Sequence, residues 1–423
     1  MSSSSVISGV LLVSSYSARA LAQEEFSEES SVDSRGEIAV ETRAFLPDDN
    51  PVTRDFAAGL FSRLEFSHDH EPLKERVRAF ARVDRVDLER STLVVEEAWA
   101  QLWAGWFKLR AGLDIFNWTA TEAFHPVDVL NARNLDSDLE SLEKIGEPTV
   151  LFELSLPTDT TFELYLLPAY MAPLPPANRS RLNPVAGTPI GGRILVDRDG
   201  RFTTDDFGPQ AAVRIRQVWG SADLSLHALE HMDRSQPVFT VDGAGVLRPV
   251  FFTVRQLGGT YQHALGGLLV KLEAAYRDFM PLKDPAPVPL AIADHGAVAL
   301  GLEYMLSHES GLESTLIAEG QAVLGTSEIE RFALTPFQRD VLGGYRLAFN
   351  DEDGKELLAT AIVDLERRKE FLVNLAYQQR LGETWGIKLG ARLIHSSNRN
   401  DPAFGLAAFR EADLVRLTLT RYF

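Results

Sequence analysis

The sequence predicts an all-β protein: one antiparallel transmembrane β-barrel of 16–18 strands over residues 36–423, behind a cleaved N-terminal signal peptide. Three observations carry this. From residue 36 onward the chain reads as segments of about ten residues with period-two alternation, the length a tilted strand needs to cross a bilayer. The connections between these segments alternate in length. The last segment, 414–423, is an alternating strand that closes on an aromatic residue, Phe423.

At the N-terminus, residues 6–13 form an apolar run too short to span a bilayer as a helix. Ala20-Leu21-Ala22 follows, a small-x-small cleavage pattern that places the cut before Gln23. Residues 1–22 therefore read as a signal peptide; a Ser-rich tail is the other reading. Residues 23–35 are acidic and polar and read as a flexible mature N-terminus. No later run reaches 18 apolar residues, so helical membrane spans are excluded. The chain has no Cys, which excludes disulfides, thiolate metal sites and a Cys nucleophile. Its formal net charge of −18 argues against nucleic acid as a partner, because phosphate binding needs a basic field.

Candidate strands fall near 36–46, 56–68, 76–86, 91–104, 106–116, 149–157, 161–172, 210–219, 222–232, 249–263, 267–279, 297–306, 312–324, 339–350, 356–367, 370–381, 385–396 and 411–423. Merging one hairpin would give 16. The clearest is 106–116, where Phe107, Leu109, Ala111, Leu113 and Ile115 alternate with Lys108, Arg110, Gly112 and Asp114. A barrel puts the first set in lipid and the second in a wet lumen. With the first strand running upward from the periplasm, the short turns (such as 104–105, 220–221 and 266–267) all fall on one side. The long loops (117–148, 173–209, 233–248, 280–296, 325–338 and 397–410) all fall on the other. A soluble sandwich has no reason to segregate its loops in this way. Trp99, Trp103, Trp106, Trp118, Tyr165, Tyr170, Tyr261, Tyr276, Phe279, Tyr304, Tyr377 and Trp385 fall towards strand ends, as interfacial girdles require; core packing is the alternative. In the last strand Val415, Leu417 and Phe423 share a face opposite Arg416. A terminal Phe is the feature read by the barrel assembly machinery of Gram-negative outer membranes, which makes that machinery and the outer-membrane lipids expected partners.

The 117–148 loop is rooted at an aromatic-rich strand end. Pro126 restrains the backbone, Asp128 and Asn131 can bond backbone groups, and Arg133 can reach a wall carboxylate. Apolar residues at 135, 139, 142 and 145 predict a short helix within it. The loop is expected to fold into the lumen and narrow it, with Asp114, Trp118, His125, Asp128, Asn131 and Arg133 at the constriction; an outward surface loop is the alternative.

The same stretch, Arg110-Ala-Gly-Leu-Asp-Ile-Phe-Asn-Trp118 followed by Ala123-Phe-His-Pro-Val-Asp-Val-Leu-Asn-Ala-Arg-Asn134, resembles the signature of an uncharacterised, porin-like outer-membrane family. There a strand ending in G-R-Q-x-x-x-W-G runs into an (N/H)-P-x-D-x-L-N-P-R-D loop. Leu113 and Asp114 stand where Arg and Gln are usual, Thr119 follows Trp118 in place of Gly, and Ala132 and Asn134 replace Pro and Asp. The resemblance implies location and architecture rather than mechanism.

Cationic residues alternate with apolar ones at Arg76, Arg78, Arg82, Lys108, Arg110, Arg214, Arg216, Lys271, Lys388 and Arg392, placing them on the lumen face. Glu96, Asp223, Glu273, Glu303 and Asp364 are their expected neighbours. Such charges either set a selectivity filter or pair with one another as ordinary solvated residues. Asp197-Arg-Asp-Gly200 with Asp205 and Asp206 is half of a calcium loop, but Gly208 occupies the position that needs Glu, so a polar turn is favoured. His68-Asp69-His70 reads as a turn cap before a metal site. Ser225 and His227 share a face that the pattern makes lumenal, and no G-x-S-x-G, P-loop or H-E-x-x-H occurs, so no enzyme and no cofactor is expected. The function these features imply is passage of small solutes across the outer membrane, by a monomer or a homo-oligomer. A transporter or exporter of hydrophobic molecules, and a structural or ligand-binding surface barrel, are the alternatives.

Overall fold

The computed structural model describes residues 30–47, 51–139, 142–235, 238–286, 291–367, 369–396 and 405–423. The expected signal peptide lies outside them. Eighteen strands close into one antiparallel barrel. They are β1 (Ser31–Phe45), β2 (Phe56–His70), β3 (Leu73–Asp84), β4 (Thr92–Ala104), β5 (Phe107–Asp114), β6 (Glu147–Ser155), β7 (Thr160–Ala169), β8 (Phe207–Trp219) and β9 (Ala222–Met232). The second half comprises β10 (Leu247–Leu265), β11 (Leu268–Phe279), β12 (His295–Ser307), β13 (Glu313–Leu324), β14 (Arg339–Ala348), β15 (Glu356–Asp364), β16 (Phe371–Leu381), β17 (Trp385–His395) and β18 (Leu414–Tyr422). β1 pairs with both β2 and β18, with Glu37 opposite Tyr422 and Phe45 opposite Leu414, so no edge is left open. β1 begins at Ser31, five residues before the expected start, because β2 extends to His70 and gives Ser31 a partner in Asp69.

The alternation sorts side chains as a membrane barrel requires. Val213, Leu257 and Leu375 point outward and are 49%, 62% and 46% exposed, whereas Ser225 and Glu273 point inward and are fully buried. The apolar surface is thus on the outside, where lipid can cover it. Every hairpin turn after an even-numbered strand is short, and the long excursions at 115–146, 170–206, 233–246 and 280–294 all leave the opposite rim. Short turns use Gly with positive φ, as at Gly105 and Gly266 (φ 63° and 62°), where open space surrounds the position and backbone conformation alone demands glycine. Phe423 pairs its backbone with Gly36, and its ring lies over that glycine, where a Cβ would come within 2.3 Å of the ring.

Two expectations are corrected. Residues 135–145 do not form a helix among the described residues; Arg133–Asn134 pairs with Glu143–Lys144 as a two-residue ladder around a turn. The polar side chains win over the apolar spacing: Asn134 Oδ1 accepts from Asp136 N at 3.2 Å and Ser137 Oγ donates to Asn134 O at 2.6 Å. Not all of the aromatic set forms girdles either. Trp103, Trp106, Tyr276, Tyr304 and Trp385 are exposed, but Trp99, Trp118, Tyr165, Tyr170 and Phe279 are buried, because the lumen is packed with loops and gives them a core to fill. One short helix, α1 (Glu328–Leu334), stands in the β13–β14 loop behind a Ser327–Glu330 capping box.

Candidate functional site: the lumen and its inward loop

The loop between β5 and β6 enters the lumen. At its root Asn131 ties three backbone segments together: its Oδ1 accepts from Phe116 N at 2.8 Å, and its Nδ2 donates to Asp114 O and Ile145 O at 2.9 and 3.0 Å. Asp128 Oδ1 accepts from Trp118 N at 3.3 Å, and its other oxygen pairs with Arg133 at 2.7 Å and Lys144 at 2.6 Å. Arg133 therefore reaches a carboxylate of its own loop rather than one of the wall. Burial alone would raise the Asp128 carboxyl, but Lys144 and Arg133 outweigh it and hold it below the ordinary carboxylate range. Asp114 stays at the strand end, holding Arg110 at 2.8 Å and capping Ile115 N at 2.9 Å.

Past this root the loop packs on inward-facing wall residues. Trp118, Val127 and Leu130 are buried against Tyr165 and Leu167 of β7, Ala212 of β8, Leu229 of β9 and Ala275 of β11. Further along, Phe124 joins Ile317, Leu342, Ile362, Leu372 and Ile394 on β13–β17. The loop thus crosses the lumen from one wall to the other.

Two wall carboxylates grip the tip. Glu273 accepts from Ala120 N at 2.6 Å, Thr121 N at 3.0 Å, Thr121 Oγ1 at 2.8 Å and Val127 N at 3.3 Å. Glu319 accepts from Glu122 N and from Ala123 N, the latter at 2.9 Å. His125 sits beside this grip, its Nδ1 3.8 Å from Glu273 and without a hydrogen bond. Backbone amides that would otherwise be unsatisfied in a tight loop are bonded by the wall. The far side of the loop is anchored by cations: Asp138 pairs with Arg392 at 2.5 Å and Arg416 at 2.9 Å, and Asp136 with Arg90 at 3.1 Å. These arginines overcome the burial that would raise the Asp138 carboxyl and keep it low.

The β7–β8 loop packs on the first. Two backbone hydrogen bonds link the loops, Leu135 N donating to Leu174 O and Leu174 N to Arg133 O, both 3.0 Å, and Leu182 packs beside Phe124. A fully buried pair locks the base: Arg234 donates to both oxygens of Glu147 at 2.6 and 3.1 Å, and to His231 Nδ1 at 2.8 Å. His231 therefore accepts at Nδ1.

The wall charges expected from the alternation all face the lumen, and most pair with neighbours. Arg76 reaches Glu65 at 2.9 Å, Arg78 reaches Glu96 at 2.8 Å and Glu97 at 3.0 Å, and Arg82 reaches Glu41 at 3.2 Å. Arg214 and Arg216 share Glu163, at 3.9 and 3.0 Å, Lys108 pairs with Glu153, and Lys271 with Glu303. Lys388 is exposed on the lumen face. Glu97 is missing from the alternation reading for a physical reason. A β-bulge shifts the β3–β4 register between Arg78 and Ala79, so the consecutive Glu96 and Glu97 both turn inward. Glu319, Asp138, Lys144 and Arg234 were likewise not singled out by sequence, since their roles depend on contacts made across the lumen. Ser225 contacts Arg214 and Thr260, while His227 contacts Gln256, so the two do not form a nucleophile–base pair.

No protein-family model matches the sequence, and no curated protein matches it. Solved structures do. OccK3 (OpdO) of Pseudomonas aeruginosa superposes with TM-score 0.52 at 14% identity, covering 92% of this chain and 96% of that one. OccK5 (OpdH) of the same organism gives 0.52 at 12%, over 94% and 98%. Wzi of Escherichia coli, described as an outer-membrane, carbohydrate-binding β-barrel, gives 0.51 at 9%, over 92% and 84%. The shared feature is the barrel fold.

Proposed function

We propose that this protein is an outer-membrane channel for passive passage of small solutes, narrowed by the loop at 117–148, and that it works without catalysis or cofactor. The observation that carries this reading is the combination of an apolar exterior with a charged interior crossed by a loop, gripped at its tip from β11 and β13 and anchored at Asp138 from β17 and β18. Diffusion through such a lumen is filtered by bore and by wall charge. The barrel fold shared with Wzi, described as an outer-membrane protein, supports the location. The paired wall charges count against a greasy path for hydrophobic molecules, because a non-polar solute would have to displace water from Arg78, Arg110 and Arg216. Liposome swelling tests the reading: vesicles containing the protein should swell in isotonic small sugars, and swelling no faster than that of protein-free vesicles would exclude a channel.

A further inference from the structure

The ion pairs of the lumen wall are not symmetric with respect to the pore water. Along β2–β5 and β8 four arginines stand closer to the water than the carboxylate buried beneath each of them. Arg63 is 31% exposed over Glu96 at 6%, and Arg78 is 24% exposed over Glu97 at 9%. Arg110 is 23% exposed against 3% for Asp114, and Arg216 is 38% exposed against 5% for Glu163. The cause is local geometry. The bulge turns both Glu96 and Glu97 inward, where they are buried beneath the more exposed Arg63 and Arg78. Trp99 fixes another of the four, with the Arg110 guanidinium 4.1 Å from its ring centre. On β17, three strands round the closed barrel from β2, Lys388 is exposed and has no carboxylate within ion-pair distance among the described residues. The order is reversed in Arg82–Glu41, Lys271–Glu303, Arg392–Asp138 and Arg346–Glu122, where the carboxylate is the more exposed end, but apart from Glu122 none of those carboxylates is as exposed as the four arginines above.

Each of the four arginine contacts is a dipole with its positive end towards the water. A solute passing within a Debye length (about 8–10 Å) meets the near charge first. Resting on the channel reading above, we infer that the passage prefers anions, and that its solutes are small oxyanions, carboxylate or phosphate, which a guanidinium fork recognises. This runs against the net charge of −18 for the whole chain.

Reversal potentials in planar bilayers test the inference. Under a KCl gradient the wild-type protein should pass chloride over potassium by roughly threefold or more, the effect of a surface potential of about half a kT, which enriches anions and depletes cations by the same factor. Potassium phosphate and potassium succinate gradients should give the same sign. Arg78→Gln combined with Arg110→Gln should lower the ratio at least about twofold while conductance steps persist. A heat-modifiable gel shift confirms that the variant is folded, and Arg216→Gln supplies a second, independent site. Conductance steps with a ratio at or below one would overturn anion preference alone. Absence of any step in the folded wild-type protein would remove the channel reading and this inference together.

Discussion

Glu273→Ala perturbs the grip on the loop tip most directly. The wild-type carboxylate is fully buried and accepts three good hydrogen bonds, from Ala120 N, Thr121 N and Thr121 Oγ1, with a longer one from Val127 N. Hydrogen bonds to a charged acceptor contribute about 1.5–3 kcal/mol each, so three set an upper bound of roughly 5–9 kcal/mol. Water entering the vacated space would rebond part of this, and Glu319 continues to hold Glu122 and Ala123. A net loss of about 3 kcal/mol shifts the balance between held and released tip by roughly a hundredfold. Single-channel recording should then show flicker into states of higher conductance that wild-type protein rarely visits. Glu273→Gln, which keeps one acceptor oxygen but turns an NH2 towards the donors, should fall between the two. A folded Glu273→Ala protein with a quiet trace at wild-type conductance would refute the grip.

Two further outcomes follow from buried charge. Arg234→Ala leaves Glu147 buried without its bidentate partner and should destabilise the protein by about 3–5 kcal/mol, read as a lower temperature of heat-modifiable unfolding. Asp128 and Asp138 both sit below the ordinary carboxylate value of about 3.9, so the stability they contribute is complete above that value and lost as pH falls through their lowered folded-state values. Conductance noise should therefore stay flat from neutral pH down to about pH 5 and rise below about pH 4; a loop that loosens first near pH 6 would implicate other groups.

The barrel was legible in the sequence because its signals are local. Alternation in 106–116 assigns Lys108 and Arg110 to the lumen without any knowledge of neighbours, and loop lengths give strand direction. All 18 expected strands occur, with ends displaced by a few residues, the largest shift being at β1, where pairing with β2 rather than composition sets the boundary. The inward loop was partly legible. Asp128 and Asn131 bond backbone groups as their residue types suggest, because those contacts lie within the loop itself. Contacts made across the lumen were not legible: nothing adjacent to Glu319 marks it as a partner for residues nearly two hundred positions away. The bulge at Glu96–Glu97 breaks the two-residue period on which the reading depended, and the turn at 134–137 is decided by side-chain hydrogen bonds that apolar spacing does not register.

The bore itself offers the most direct measurement. Removing residues 120–145 deletes the tip, both carboxylate contacts and the Asp138 anchor while leaving all 18 strands. Single-channel conductance of that variant should exceed wild type several-fold. An equal conductance in a folded deletion protein would mean that the loop does not narrow a water-filled lumen.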